Sequence, residues 1–193
     1  PIAGKPISKP ETSNKQGENV YYYVNEENRM MFIYGTGPMN TYSSSEEVEW
    51  KGVDKTSIET IIIEEGITSI GNYMFNNFTK LQSIEIPSTI TTIGINPFIG
   101  CNELINVNID DKNTNVKYEH NIIVCNKTAI ALMQKDVYKK VVVPLQTITI
   151  GEYAIYENNI IEVITIPATV NSIKQKGISS CSLLSKIYFL GNQ

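Results

Sequence analysis

The feature that most constrains this chain is an interval of 23 residues. Ile63, Ile86 and Ile109 stand 23 apart, and so do Val143, Ile166 and Phe189. Two more columns keep the same spacing: Ile61, Ile84, Val107, Val141, Ile164 and Ile187, and Ile58, Leu81, Leu104, Tyr138, Ile161 and Leu184. Between Ile109 and Val143 the gap is 34, one period plus 11, so one insertion lengthens the third copy. Apolar columns that share one register mark stacked repeats, each too small to bury its own apolar face.

Within a copy, alternating Ile and Val form a triplet suited to a short strand with one face buried. The spacing predicts strands at 61–63, 84–86, 107–109, 141–143, 164–166 and 187–189, paired in parallel in a single continuous sheet. Pro87, Pro144 and Pro167 follow the triplet, where a residue without an N–H ends the ladder. Gly71, Gly94 and Gly151 recur farther on, at a place expected to need a tight or positive-φ turn. The predicted fold is a repeat solenoid with a parallel β-sheet on one face and short turns or helical segments on the other.

The ends and the insertion depart from the period. Residues 1–19, with Pro1, Pro6 and Pro10 among polar side chains, read as a flexible linker. Residues 20–57 read as a cap: the runs VYYYV and MMFIY flank the polar turn NEEN, a hairpin signal, and an open solenoid end needs an atypical unit to cover its edge. Residues 58–193 hold the repeats, with a long irregular copy at 104–137 and an incomplete last one. In the insertion, NIIV and AIALM around Asn126 and Lys127 predict an extra hairpin that bulges from one edge.

The runs ITSIGNYMFNNFTKLQSIEIPSTITTIGINPFIGCNEL and VVVPLQTITIGEYAIYENNIIEVITIPATVNSIKQKGISSCSLL resemble the BspA-like leucine-rich repeat family, from about Ile58 onward. The resemblance implies a leucine-rich-repeat-like solenoid, displayed at the cell surface or secreted, in contact with a host or matrix partner. Departures from the family pattern are Ile155 and Ile178 in place of Phe, and Phe78 and Asn158 in place of Cys.

Few residues suggest chemistry. Sixteen Lys and Arg against 20 Asp and Glu give a net charge of -4, which provides no field to gather nucleic acid. The stretch 122–133 falls short of the ~20 apolar residues that cross a bilayer. The sole histidine, His120, has no ligand-spaced partner, and reads as a solvated loop residue. Asp111, Asn113 and Asn115 match the alternation of a calcium loop, but Val116 stands where its Gly belongs and Ile122 where its Glu belongs. The adjacent pairs Glu46 with Glu47 and Glu64 with Glu65 do not suit two carboxylates facing one cleft. Cys101 and Cys181, in equivalent columns three repeats apart, are too distant to bridge and read as buried thiols.

The sequence therefore predicts no enzyme, no cofactor and no metal site. It predicts a recognition or adhesion module for a protein or glycan, or alternatively a structural spacer in a larger surface protein. The candidate contact face is the middle residue of each triplet: Ile62, Glu85, Asn108, Val142, Thr165 and Tyr188.

Overall fold

The computed structural model describes residues 14–133 and 138–191. The chain starts with β1 (Asn14–Lys15), β2 (Val20–Asn25), β3 (Met30–Gly35) and β4 (Gly37–Pro38), then a 3-10 turn at Ser45–Glu47. The next repeats supply β5 (Thr60–Ile63), β6 (Ile67–Ile70), β7 (Ser83–Ile86), β8 (Thr92–Ile93) and β9 (Asn106–Ile109). The insertion holds β10 (Val116–Glu119), β11 (Ile122–Cys125) and β12 (Thr128–Leu132). Beyond it come β13 (Lys140–Val142), β14 (Thr149–Ile150), β15 (Ile155–Tyr156), β16 (Val163–Pro167), β17 (Ser172–Ile173), β18 (Ile178–Ser179) and β19 (Lys186–Leu190).

This is a β-solenoid with parallel sheets and almost no helix. β2 and β3 form the expected antiparallel hairpin, with Val24 opposite Met31. Strand β3 then joins the repeats in parallel, placing Met31 beside Ile61 and Ile33 beside Ile63. From there Ile61, Ile84 and Val107 run in register, one buried apolar column along the stack. Full burial of each such side chain stabilises by about 1.5–3 kcal/mol. Pro87 lies just past β7 and Pro167 ends β16, as a residue without a ladder donor should.

The cap starts earlier than residue 20. Asn14 and Lys15 pair with Tyr22 and Tyr21, and the buried Gln16 donates to Glu49 O at 3.0 Å while accepting from the Tyr42 hydroxyl at 2.6 Å. Residues 1–13 of the expected linker, and 134–137 of the irregular repeat, lie outside the described residues. Trp50 ties the cap to the repeats: its indole N–H donates to Met74 O at 2.8 Å. Its ring stacks on Phe75, which stacks in turn on Phe98.

The single continuous sheet does not form. Strands β5, β7 and β9 belong to a six-stranded sheet, whereas β13, β16 and β19 make a separate three-stranded one. Between them stands the insertion, a three-stranded antiparallel meander instead of a hairpin, whose β12 pairs in parallel with β14. It does not bulge from an edge. Ile123, Cys125, Ile130 and Met133 pack into the core of the first stack, and Ile122, Val124, Ala129 and Leu132 into the core of the second. In β11 and β12 the meander is thus a partition buried on both faces, which is why these two strands read as unbroken apolar runs instead of alternating ones. A register shift between Ile123 and Val124 adjusts the two faces.

The recurrent glycines also act differently from expectation. Gly71, Gly94 and Gly151 are absent from the positive-φ residues. A Cβ at Gly71 would lie 1.8 Å from Asn40 O, at Gly94 2.3 Å from Asn72 Oδ1, and at Gly151 2.6 Å from Ala129 O. The requirement is close approach of the preceding turn. Positive φ falls instead on Tyr73, Asn96, Tyr153 and Lys176, and again four residues on at Asn77, Gly100, Glu157 and Ser180, two per repeat in the turns that follow.

Candidate recognition surface

The middle residue of a triplet points away from the core columns, so packing leaves its identity open. Phe32, Ile62, Glu85 and Asn108 stand in register across β3, β5, β7 and β9. Val142, Thr165 and Tyr188 do so across β13, β16 and β19. The expected row of six therefore exists as two shorter rows, because the partition separates the sheets that carry them.

At the N-terminal end the row is covered. Ile62 is buried in a cluster with Tyr23, Phe32 and Tyr34, Tyr23 stacking on Phe32 at 4.9 Å between centroids. Strand alternation puts Tyr21 and Tyr23 outward while Val20 and Tyr22 enter the main core. Burial, then the nearby Glu64 carboxylate and Tyr34, push the Tyr23 phenol up to about 12. The three consecutive tyrosines of VYYYV were the available signal for a hairpin apolar on both faces.

Glu85 and Asn108 lie at the open part of the first sheet. With Glu65 and Asp110, and with Ile63, Ile86, Pro87 and Ile109, they line a depression of about 310 Å³. Partial burial raises the Glu85 carboxyl above its ordinary value. Glu65 is shifted the other way, held below the ordinary value chiefly by the Ser88 hydroxyl, which donates to it at 2.8 Å. The depression therefore offers carboxylate acceptors on the outer side of the sheet, an arrangement suited to a cationic or hydroxyl-bearing group.

Val142 borders a second depression of about 300 Å³, with His120, Asn121, Leu132, Tyr138, Lys140 and Val141. Here the meander brings His120 to the second sheet. His120 is exposed, at φ 50° in the tight turn between β10 and β11, with Asn121 at φ 63°. Thr165 is half-buried and Tyr188 exposed.

Among the described residues no group of three or more His, Cys, Asp or Glu side chains is placed to hold a metal ion. Asn113 of the calcium-like run is buried and committed to structure. Its amide donates to Pro87 O at 2.8 Å and Ile90 O at 3.0 Å, and its Oδ1 accepts from the N–H groups of Asn115 and Val116 at 2.9 and 2.8 Å. None of Cys101, Cys125 and Cys181 is in a disulfide. Cys101 is buried as expected, whereas Cys181 is only half-buried. Burial pushes the Cys125 thiol above its ordinary value.

In structure the chain is similar to a leucine-rich repeat protein from Eubacterium ventriosum, at 16% identity over 90% of this chain and 71% of that one, with a TM-score of 0.39. A leucine rich cell surface protein from Faecalibacterium prausnitzii matches at 19% identity over 92% of this chain, TM-score 0.49. This chain spans 40% of that protein's length. The leucine rich repeat protein of T. pallidum matches at 12% identity, covering 90% of this chain and 71% of that one, with a TM-score of 0.44. No curated protein matches the sequence. The model of the BspA type leucine rich repeat region, by contrast, matches six copies over residues 38–126 and 130–193. The match begins before Ile58, where Met39, Val48 and Trp50 already pack into the first core. Covering both stacks and most of the partition, this match places the chain in the BspA-type leucine-rich repeat family.

Proposed function

We propose that this chain is a non-catalytic recognition module that presents the outer face of its first parallel sheet to a protein or glycan partner at the cell surface. The observation that carries this reading is the depression around Glu85 and Asn108. Its Glu85 and Asn108 stand in the middle column, on the face turned away from the main core, and the half-buried Glu85 carboxyl has Ile62 and Asn108 beside it in the ladder. A basic side chain or a sugar hydroxyl would relieve that carboxyl of its desolvation by donating to it. Repeat families commonly use such an extended sheet face for binding, and the family's character favours surface display. No helix among the described residues is long and apolar enough to cross a membrane.

The test uses immobilised glycans and matrix proteins as probes. Glu85→Arg combined with Asn108→Arg should abolish capture by any probe the native chain binds, while Thr165→Arg, on the second sheet, should leave it within twofold. Full binding by the folded double variant would reject the first sheet as the contact face. A chain that captures no probe, with either sheet intact, would favour a structural spacer.

A further inference from the structure

Ile67, Ile90, Asn113, Thr147 and Val170 share one column, in the turn that leaves each core strand. The column is apolar except at Asn113 and Thr147, the two members that flank the insertion. Asn113 is accounted for by the four hydrogen bonds it makes. Thr147 is not: it is 0% exposed, and among the described residues its buried hydroxyl has no hydrogen-bond partner. Valine has the same shape and fills this place in the next repeat, so packing alone would select it and avoid the cost of an unpaired hydroxyl.

The turn that carries Thr147 is also the one that lost its neighbour. Elsewhere each turn leans on the turn before it: Thr89 Oγ1 donates to Ile67 O at 2.8 Å, the Asn113 amide to Pro87 O at 2.8 Å, and Thr169 Oγ1 to Leu145 O at 2.7 Å. Among the described residues no hydrogen bond joins the 144–147 turn to the 110–113 turn, since the meander comes between them. A cleft of about 240 Å³ is found there, lined by Thr147 with Pro144 and Gln146 of its turn, and by Thr114, Asn115 and residues of the meander.

The strand register explains why the meander's contribution is polar. Lys117 pairs with Val124 and Glu119 with Ile122, so all four share the face turned to the second core. Ile122 and Val124 are buried in that core, while Lys117 and Glu119 are exposed. The second stack thus covers β11 and stops short of β10, leaving a ledge that carries an ammonium and a carboxylate into the cleft's lining. Lys127, in the tight turn between β11 and β12, adds a second ammonium. Among the described residues neither lysine is in an ion pair.

We propose that this cleft is a saccharide site for a carboxylate-bearing sugar, a uronate unit of an acidic glycan. Lys117 and Lys127 take the carboxylate, and the Thr147 hydroxyl with the neighbouring amides takes ring hydroxyls. Two ammonium groups against the one carboxylate of Glu119 favour an anion. The Asn115 and Gln146 amides and the Thr114 hydroxyl both donate and accept, as sugar hydroxyls require. A staggered rotation about χ1 is the movement that turns the Thr147 hydroxyl to a group seated beside it. A peptide carboxylate would engage the lysines and leave that hydroxyl and the amides unmatched. The volume, below the ~300–1,000 Å³ of sites for drug-sized ligands, suits a single sugar ring. The site shares no lining residue with the depression around Glu85 and does not rest on the reading of that face.

The probe is a galacturonate trisaccharide titrated into the isotope-labelled chain and followed by its amide resonances. Shifts should centre on Asn115, Lys117, Lys127 and Thr147, and a neutral galactose trisaccharide should bind at least tenfold more weakly. Lys117→Gln combined with Lys127→Gln should weaken uronate binding at least tenfold with an unchanged melting temperature. Thr147→Val should weaken it at least threefold and raise the melting temperature, because the variant loses an unpaired hydroxyl; a threonine kept for structure would melt lower when replaced. The proposal is overturned by an absence of shifts at tens of millimolar uronate, by equal binding of the neutral trisaccharide, or by a glutamate tripeptide that occupies the same residues as tightly. A double lysine variant that binds undiminished, or a Thr147→Val variant that melts lower or binds like the native chain, would overturn it too.

Discussion

Asn113 shows how much one side chain contributes between repeats. It satisfies two carbonyls of the preceding turn and two N–H groups of its own, all in a buried position. Asn113→Ala removes these four hydrogen bonds, leaving Pro87 O only the long one from Ile90 N–H at 3.4 Å, and should destabilise the fold by about 2–4 kcal/mol in denaturant titration. Glu85 predicts a pH effect of unusual sign. Its folded value is raised by partial burial, so in the window between the ordinary and the raised value the folded state holds more proton than the unfolded state. The associated cost is absent below the ordinary carboxyl value and grows as pH rises through the raised one. Glu85→Gln should therefore raise the melting temperature at neutral pH and make no difference well below pH 4.5, the ordinary value. Glu65→Gln, at a carboxyl held low by Ser88, should destabilise at neutral pH and lose its effect in acid.

At the scale of elements, the meander makes the sharpest claim. In a hairpin bulging from an edge, one of two successive residues would face water and its truncation would matter little. In a partition, Ile122 serves the second core and Ile123 the first. Ile122→Ala and Ile123→Ala should each destabilise by about 2–5 kcal/mol; a cost under about 0.5 kcal/mol for either would restore the one-faced hairpin. The two tight turns of the meander share a chemistry, since His120 with Asn121 and Asn126 with Lys127 all have positive φ. Asparagine suits such turns, and the NK pair was legible as a turn from sequence. HN was not, because Val116–Glu119 carries too few apolar residues to announce a strand.

For the whole molecule, the structure predicts a gradient of protection. Strands β3, β5 and β7 are flanked on both sides and largely buried, whereas among the described residues β19 has one partner strand and five exposed residues. Amide exchange of this chain should be fastest in β19 and slowest in the first stack. Equal protection at both ends would mean that the solenoid opens as one unit.

What the residues determined by themselves was the repeat. Columns such as Ile61, Ile84 and Val107 must be apolar at every turn because each lies over the next in one core, so period, strand positions and parallel pairing were readable before any fold was known. The hairpin cap was readable from two apolar runs on either side of a polar turn. The tertiary structure alone decided where the stack is interrupted. NIIV and AIALM are apolar without a period, and such a run does not say whether one face or two are covered; only the presence of a core on each side did. It also divided the contact row: Ile62 was removed from solvent by Tyr23 and Phe32, and Val142 was placed beside His120. Surface columns carry no packing constraint that a sequence must repeat, so their neighbours are set by how whole units stack.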